Sequence, residues 1–286
     1  MTEYRQETGY LVSSDPRMRL YYEKFLRSRA KKAVLIVQGR AEFTQKYHHL
    51  LDKHALGSLP CNFYLVDLRG QGQSDGWPGH VRRYQEYVDD LHRVVQWIQR
   101  DIQEIVVLSH STGSLISLNY LLLYPKAFLG VVLSSPLIGF REFPLPNFIR
   151  KGVAQSFVYL GFEKKRVSRE NRKKNLLTHD QVFYEKFGYG PLVCPPPTFE
   201  WVVATYKAME VLKENLYRIS VPLLILAAGE DLYIPKSLTH QFYQELKQLN
   251  KDVTYHLFPN MMHELLNEKD NQKVFQMIRA FFRRFM

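Results

Sequence analysis

Short apolar runs recur along the chain, and most stop at a serine, glycine or aspartate. Residues 33–37 (AVLIV), 62–66 (NFYLV), 105–108 (IVVL), 128–133 (FLGVVL) and 223–228 (LLILAA) are nearly continuous and rich in β-branched residues. That pattern predicts strands buried on both faces, since a strand with one wet face would alternate. Residues 252–260 (DVTYHLFPN) alternate partly and predict a sixth such strand. Residues 8–26 predict two more, joined by a turn at Ser14-Asp15-Pro16.

Between the strands the period changes. Val88, Leu91, Val94, Val95 and Ile98 fall near helical spacing, and 114–124, 237–249 and 271–285 also read as helices. Residues 44–56 are helix-compatible. Strands alternating with helices predict a mostly parallel central sheet with helices on both faces, an α/β fold. Residues 137–218 interrupt the alternation with prolines, aromatics and cations, so they predict an inserted helical lid. The core is then 1–136 with 219–286, and the lid 137–218. At 286 residues the chain suits one large domain carrying such an insertion.

In an open parallel sheet, chemistry collects at the carboxyl ends of the strands. SHSTG (109–113) stands at such an end, just before a helix. A nucleophilic serine on a sharp strand-to-helix turn needs small residues two positions to either side. Ser111 has them in Ser109 and Gly113. Ser109 would be flanked by Val107, and Ser114 by Ile116. Ser134 and Ser135 run into Pro136 with no helix start. The plain alternative is an ordinary turn with a serine or threonine cap.

The partners should follow in the order serine, acid, histidine. Asp231 lies just past one strand and His263 just past the next; Glu230 is the rival acid, and His256 sits within a strand. In this reading Ser111 attacks a carbonyl, His263 takes its proton and Asp231 orients the imidazole. The oxyanion would be held by the backbone N–H groups of Thr112 and Arg40.

Composition adds three points. Two cysteines, Cys61 and Cys194, form no metal or redox motif and fit a reducing compartment. No apolar leader and no span of about 20 apolar residues occurs, which implies a cytoplasmic protein in, at most, peripheral contact with a membrane. The net charge is +11, and 150–174 concentrates it with nine cations against two acids. Near Phe148, Ile149, Phe157, Tyr159, Leu160 and Phe162, that cluster suits an anionic membrane; the plain alternative is a solvated helix face. Nothing around it suggests nucleic-acid binding. No metal constellation appears, and the chemistry requires no cofactor.

QGRAEFTQKY (38–47), VDLRGQGQSDG (66–76), SHSTGS (109–114), LTHDQVFYEKF (177–187), AAGEDLYIP (227–235) and FPNMMHELLNE (258–268) together resemble the α/β-hydrolase superfamily. More narrowly they resemble its monoacylglycerol lipase and bacterial lysophospholipase branch, with motifs spread over nearly the whole chain. Gln38-Gly39 replaces the His-Gly of many relatives, and Ser109 and Ser114 replace glycines. The resemblance implies an α/β-hydrolase fold, a loop-orienting role for Glu42, and a single-chain lipid ester, lysophospholipid or monoacylglycerol, as substrate. Another carboxylesterase, a thioesterase, a serine aminopeptidase, or a non-catalytic binding protein on the same fold remain alternatives, because acyl-group choice lives in the lid.

Overall fold

The computed structural model describes residues 4–141, 146–168 and 175–286. Eight strands form one sheet: β1 (Arg5–Val12), β2 (Arg19–Leu26), β3 (Lys32–Val37), β4 (Asn62–Val66), β5 (Glu104–His110), β6 (Gly130–Ser134), β7 (Leu223–Ala228) and β8 (Val253–Phe258). Their spatial order is β1-β2-β4-β3-β5-β6-β7-β8. The β1–β2 and β2–β4 pairs are antiparallel, and every other pair is parallel. The six expected core strands and the N-terminal pair are thus all present. The pair pads one edge of the parallel sheet, as its partly alternating sequence suits.

Seven helices complete the described chain: α1 (Gln85–Ile98), α2 (Thr112–Leu123), α3 (Asn147–Tyr159), α4 (Gln181–Phe187), α5 (Phe199–Glu214), α6 (Lys236–Gln248) and α7 (Gln272–Phe282). One face of the sheet (Leu35, Val107, Val131, Ile225) packs on α1, α2, α5 and α6. The other (Ile36, Val106, Val132, Leu224) packs on residues 47–59 and α7. Burial of central strands on both faces is why they read as continuous apolar runs. The helix-compatible segment 44–56 forms only a 3₁₀ helix, Thr44–Leu51, before turns take over.

The stretch 137–218 is not uniform. Helix α3 buries only Ala154. Helix α5, in contrast, places Trp201, Ala204, Ala208 and Leu212 in the main core. Both cysteines are buried thiols. No helix among the described residues is long and apolar enough to cross a membrane.

Helix α2 approaches the sheet at Gly113, where an added Cβ would run into the carbonyl oxygens of Val37 and Gln38. Both obstacles are backbone and cannot rotate away. Gly113→Ala is expected to cost about 1–3 kcal/mol through overpacking, read as a lower urea midpoint at unchanged slope.

Candidate active site

Strand β5 ends at His110, and α2 begins at Thr112, so a single residue makes the turn. That residue, Ser111, sits at φ 49° and ψ −114°. A side chain at positive φ is costly and persists only where its surroundings enforce it. Here the Ser111 N–H donates to Ser134 O (2.9 Å), and Ser111 O accepts from Ser114 N (3.0 Å) and Leu137 N (3.1 Å). Ser109 is buried and donates to Val132 O (3.0 Å), which ties the turn to β6. The helix thus starts at Thr112, two residues before Ser114.

The ends of β7 and β8 are laced together. Gly229 N donates to Phe258 O (2.8 Å), and Glu230 N donates to Met261 O (2.9 Å). This brings Asp231 beside the 259–263 loop. His263 Nδ1 lies 2.6 Å from Asp231 Oδ2, and His263 Nε2 lies 3.0 Å from Ser111 Oγ. Asp231 Oδ1 accepts from the N–H groups of Tyr233 (2.8 Å) and Ile234 (2.9 Å), so its orientation is fixed. The three expected residues therefore form one hydrogen-bonded chain. The rivals do not join it: Glu230 is exposed and lies 3.4 Å from His179, and His256 stacks edge-on with Phe258.

Burial works against a charged His263, but the Asp231 carboxylate and its hydrogen bond outweigh burial and raise the imidazole above its usual 6.5. Burial likewise pushes Asp231 up, while His263 and the two N–H groups hold it below 3.8. The raised histidine contributes stability that is complete below 6.5 and lost as pH rises through its folded value. The depressed aspartate contributes stability that is present above 3.8 and lost as pH falls through its folded value. Both contributions are full between 3.8 and 6.5. Burial first, with His263 nearby, lowers His110, whose ring centroid is 4.9 Å from that of His263. Glu42 pulls the other way, but the balance favours the neutral ring.

The loop after β3 carries Arg40 and Glu42. Glu42 Oε2 accepts from Gly39 N (2.6 Å) and from the Tyr47 hydroxyl (2.5 Å). Ala41 N donates to Gln71 Oε1. The backbone is thus pinned on both sides of Arg40, and the close approach at Gly113 sets this loop against the start of α2.

A buried ion cluster here was not anticipated. Lys46 is 3% exposed, with Nζ 3.0 Å from Glu42 Oε1 and 2.5 Å from Glu264 Oε1. It links the Arg40 loop to the residue after His263. Burial disfavours the charged Lys46, but Glu264 and Glu42 reverse this and raise it. Ser135 Oγ donates to His263 O (2.7 Å), a second support that its sequence context concealed. The four-residue spacing of Glu42 and Lys46 was the one available signal for the cluster. Among the described residues, no group of three or more His, Cys, Asp or Glu side chains could hold a metal ion.

The sequence model of the family described as serine aminopeptidase, S33 (Hydrolase_4) matches residues 28–270. The chain belongs to this family. Among relatives of this hydrolase family, the probable lysophospholipase L2 of Haemophilus influenzae is 28% identical, over 92% of this chain and 87% of its own. The monoacylglycerol lipase of Mycolicibacterium smegmatis is 25% identical, over 84% of each chain. YnbC, an uncharacterized protein of Escherichia coli, is 26% identical over 93% of this chain, which spans only 45% of YnbC's length. The solved structure of Paleococcus ferrophilus monoacylglycerol lipase matches with a TM-score of 0.78 at 22% identity, over 92% of this chain and 97% of that one. The fold is that of an α/β-hydrolase.

Removing one partner of a buried ion cluster leaves an uncompensated charge. Lys46→Met is expected to destabilise the protein by about 3–5 kcal/mol in urea unfolding at neutral pH. The loss should shrink as pH falls, because burial without the ammonium favours the neutral Glu42 carboxyl.

Proposed function

We propose that this family member is a serine hydrolase that cleaves the carboxylic ester of a single-chain lipid, a lysophospholipid or monoacylglycerol, through an acyl-serine intermediate. The observation that carries this reading is the chain from Ser111 Oγ through His263 to Asp231, at 3.0 and 2.6 Å. The lysophospholipase and monoacylglycerol lipase names among its relatives support the lipid ester.

In the proposed mechanism His263 Nε2 takes the Ser111 proton as Oγ bonds to the ester carbonyl carbon. The backbone N–H groups of Arg40 and Thr112 stabilise the oxyanion, and Glu42 orients the Arg40 loop. Collapse breaks the bond to the glycerol oxygen, which leaves with the proton held by His263. Water then repeats the sequence against the acyl-serine. It releases the fatty acid and restores Ser111. Asp231 keeps the imidazole in the required tautomer throughout.

Helices α3 and α4 serve as the lid in this reading, anchored by α5. Their outer surface is apolar as well as basic: Phe148 is 75% exposed, Tyr159 91% and Leu160 66%. Lys164 lies over the Trp77 ring at 5.1 Å and Lys165 over Phe162 at 4.6 Å. Cations on exposed aromatics suit the interface of an anionic membrane. Arg169, Arg172, Lys173 and Lys174 of the basic cluster lie outside the described residues.

The family description also names a serine aminopeptidase. That activity requires a carboxylate to hold an α-amino group. The carboxylates beside His263 are committed, Asp231 to the imidazole and Glu42 and Glu264 to Lys46. The ester reading is therefore preferred.

Long-chain lysophospholipid and monoacylglycerol micelles should both release fatty acid with the wild type, and Ser111→Ala should lower turnover by about 10⁴-fold or more. Release from neither lipid, with cleavage of an aminoacyl amide instead, would replace this reading. The base works only when neutral, so kcat/KM should fall as pH drops through the raised His263 value. Asp231→Asn removes the charge that raises it, so the acid limb should move to lower pH while the rate drops by about 10⁴-fold.

A further inference from the structure

The residue proposed to donate its backbone N–H to the oxyanion also carries a guanidinium that has no counter-charge among the described residues. Arg40 is half-buried. Its Nη2 donates to Pro195 O, and its guanidinium carbon lies 5.7 Å from the centre of the Trp201 ring. Its Nε is buried and has no hydrogen-bond partner among the described residues. No carboxylate among the described residues forms an ion pair with it. The contrast with its neighbours is sharp. Lys46 holds two carboxylates, and Arg69 holds Asp90 (2.6 Å) and Glu86 (2.7 Å). Partly removing a cation from water without an anion carries a cost, so a half-buried, unmatched guanidinium with a buried, unpaired Nε needs a reason.

Burial raises the phenol of Tyr233, Glu264 and Asp231 add to the rise, and Arg40 pulls weakly against it; the Tyr233 ring lies 5.5 Å from the His263 ring. The cation–π contact with Trp201 and the single bond to Pro195 O hold the guanidinium while leaving further N–H donors uncommitted. A planar fork with free donors matches a phosphate better than any neutral group does.

We propose that Arg40 is the headgroup-selecting residue of this enzyme, its guanidinium binding the phosphate of a single-chain phospholipid while its own backbone N–H receives the oxyanion. This rests on the lipid-ester reading above and narrows it to lysophospholipid over monoacylglycerol. One residue then contacts both ends of the scissile unit. The acyl carbonyl meets its N–H, and the phosphate at the far end of the glycerol meets its side chain. A neutral monoacylglycerol would leave the guanidinium unmatched.

The test compares kcat/KM for lysophosphatidylglycerol and for monoacylglycerol of the same acyl chain, each diluted into non-ionic detergent micelles. A charge-assisted bond of this kind corresponds to about 10–100-fold. Arg40→Ala should lower the phospholipid-to-monoacylglycerol ratio by that factor. Arg40→Gln, which keeps an amide donor for Pro195 O and removes the charge, should do the same, and Arg40→Lys should recover part of the ratio. The change should persist at about 0.5 M salt, where attraction to exposed surface cations is screened. Wild-type cleavage of both lipids with an unchanged ratio in Arg40→Gln would overturn the proposal and leave Arg40 a strut to residue 195. A ratio change that vanishes at high salt would overturn it in favour of the basic surface. Cleavage of neither lipid by the wild type would remove the lipid-ester reading itself.

Discussion

Everything at the carboxyl end of the sheet depends on one strained residue. Ser111 occupies a backbone conformation that costs roughly 1–3 kcal/mol for a residue with a side chain. The cost is met by the structure on either side: β6 takes up the Ser111 N–H and the Ser109 hydroxyl, and α2 starts at once. At Gly113 the helix approaches two backbone carbonyls so closely that no side chain fits between them. The hydroxyl is consequently presented outward and within reach of His263 without any side chain having to rearrange.

A second constraint is electrostatic. Asp231, Glu42 and Glu264 set negative charge around His263 with only Lys46 set against it inside the cluster. Such a surplus favours an imidazolium, the species that forms whenever the histidine takes a proton. The same ions brace the geometry, because the Arg40 loop and the histidine loop end on a common ammonium. Charge and position are therefore adjusted by the same four side chains.

Much of this was legible in sequence because it is local or ordered. The Ser111 frame spans five residues, and each small flank has a packing cause that the fold displays. Asp231 and His263 followed from their places after successive apolar runs. Lys46 and Glu264 were not legible, since 218 residues separate them and only the folded loops bring them together. The segment 44–56 has helical spacing, yet it tightens into a 3₁₀ turn under β3 and β4. Helix α5 lay within the stretch read as lid, but its apolar stripe packs on α2; composition averaged over 137–218 hid a core helix behind an exposed one.

The segment 175–180 has a further consequence, for how such enzymes diverge. Leu177 O accepts from Glu264 N (2.8 Å), Thr178 Oγ1 donates to Asn267 O (2.8 Å), and His179 N donates to Glu268 Oε2 (2.9 Å). This strip is thus stitched to the residues that follow His263. Exchange of the whole 137–218 block between relatives would tear those stitches and slacken the histidine's mounting. The exposed helix α3 can vary with little effect on that mounting, while the stitched strip must be inherited with the core.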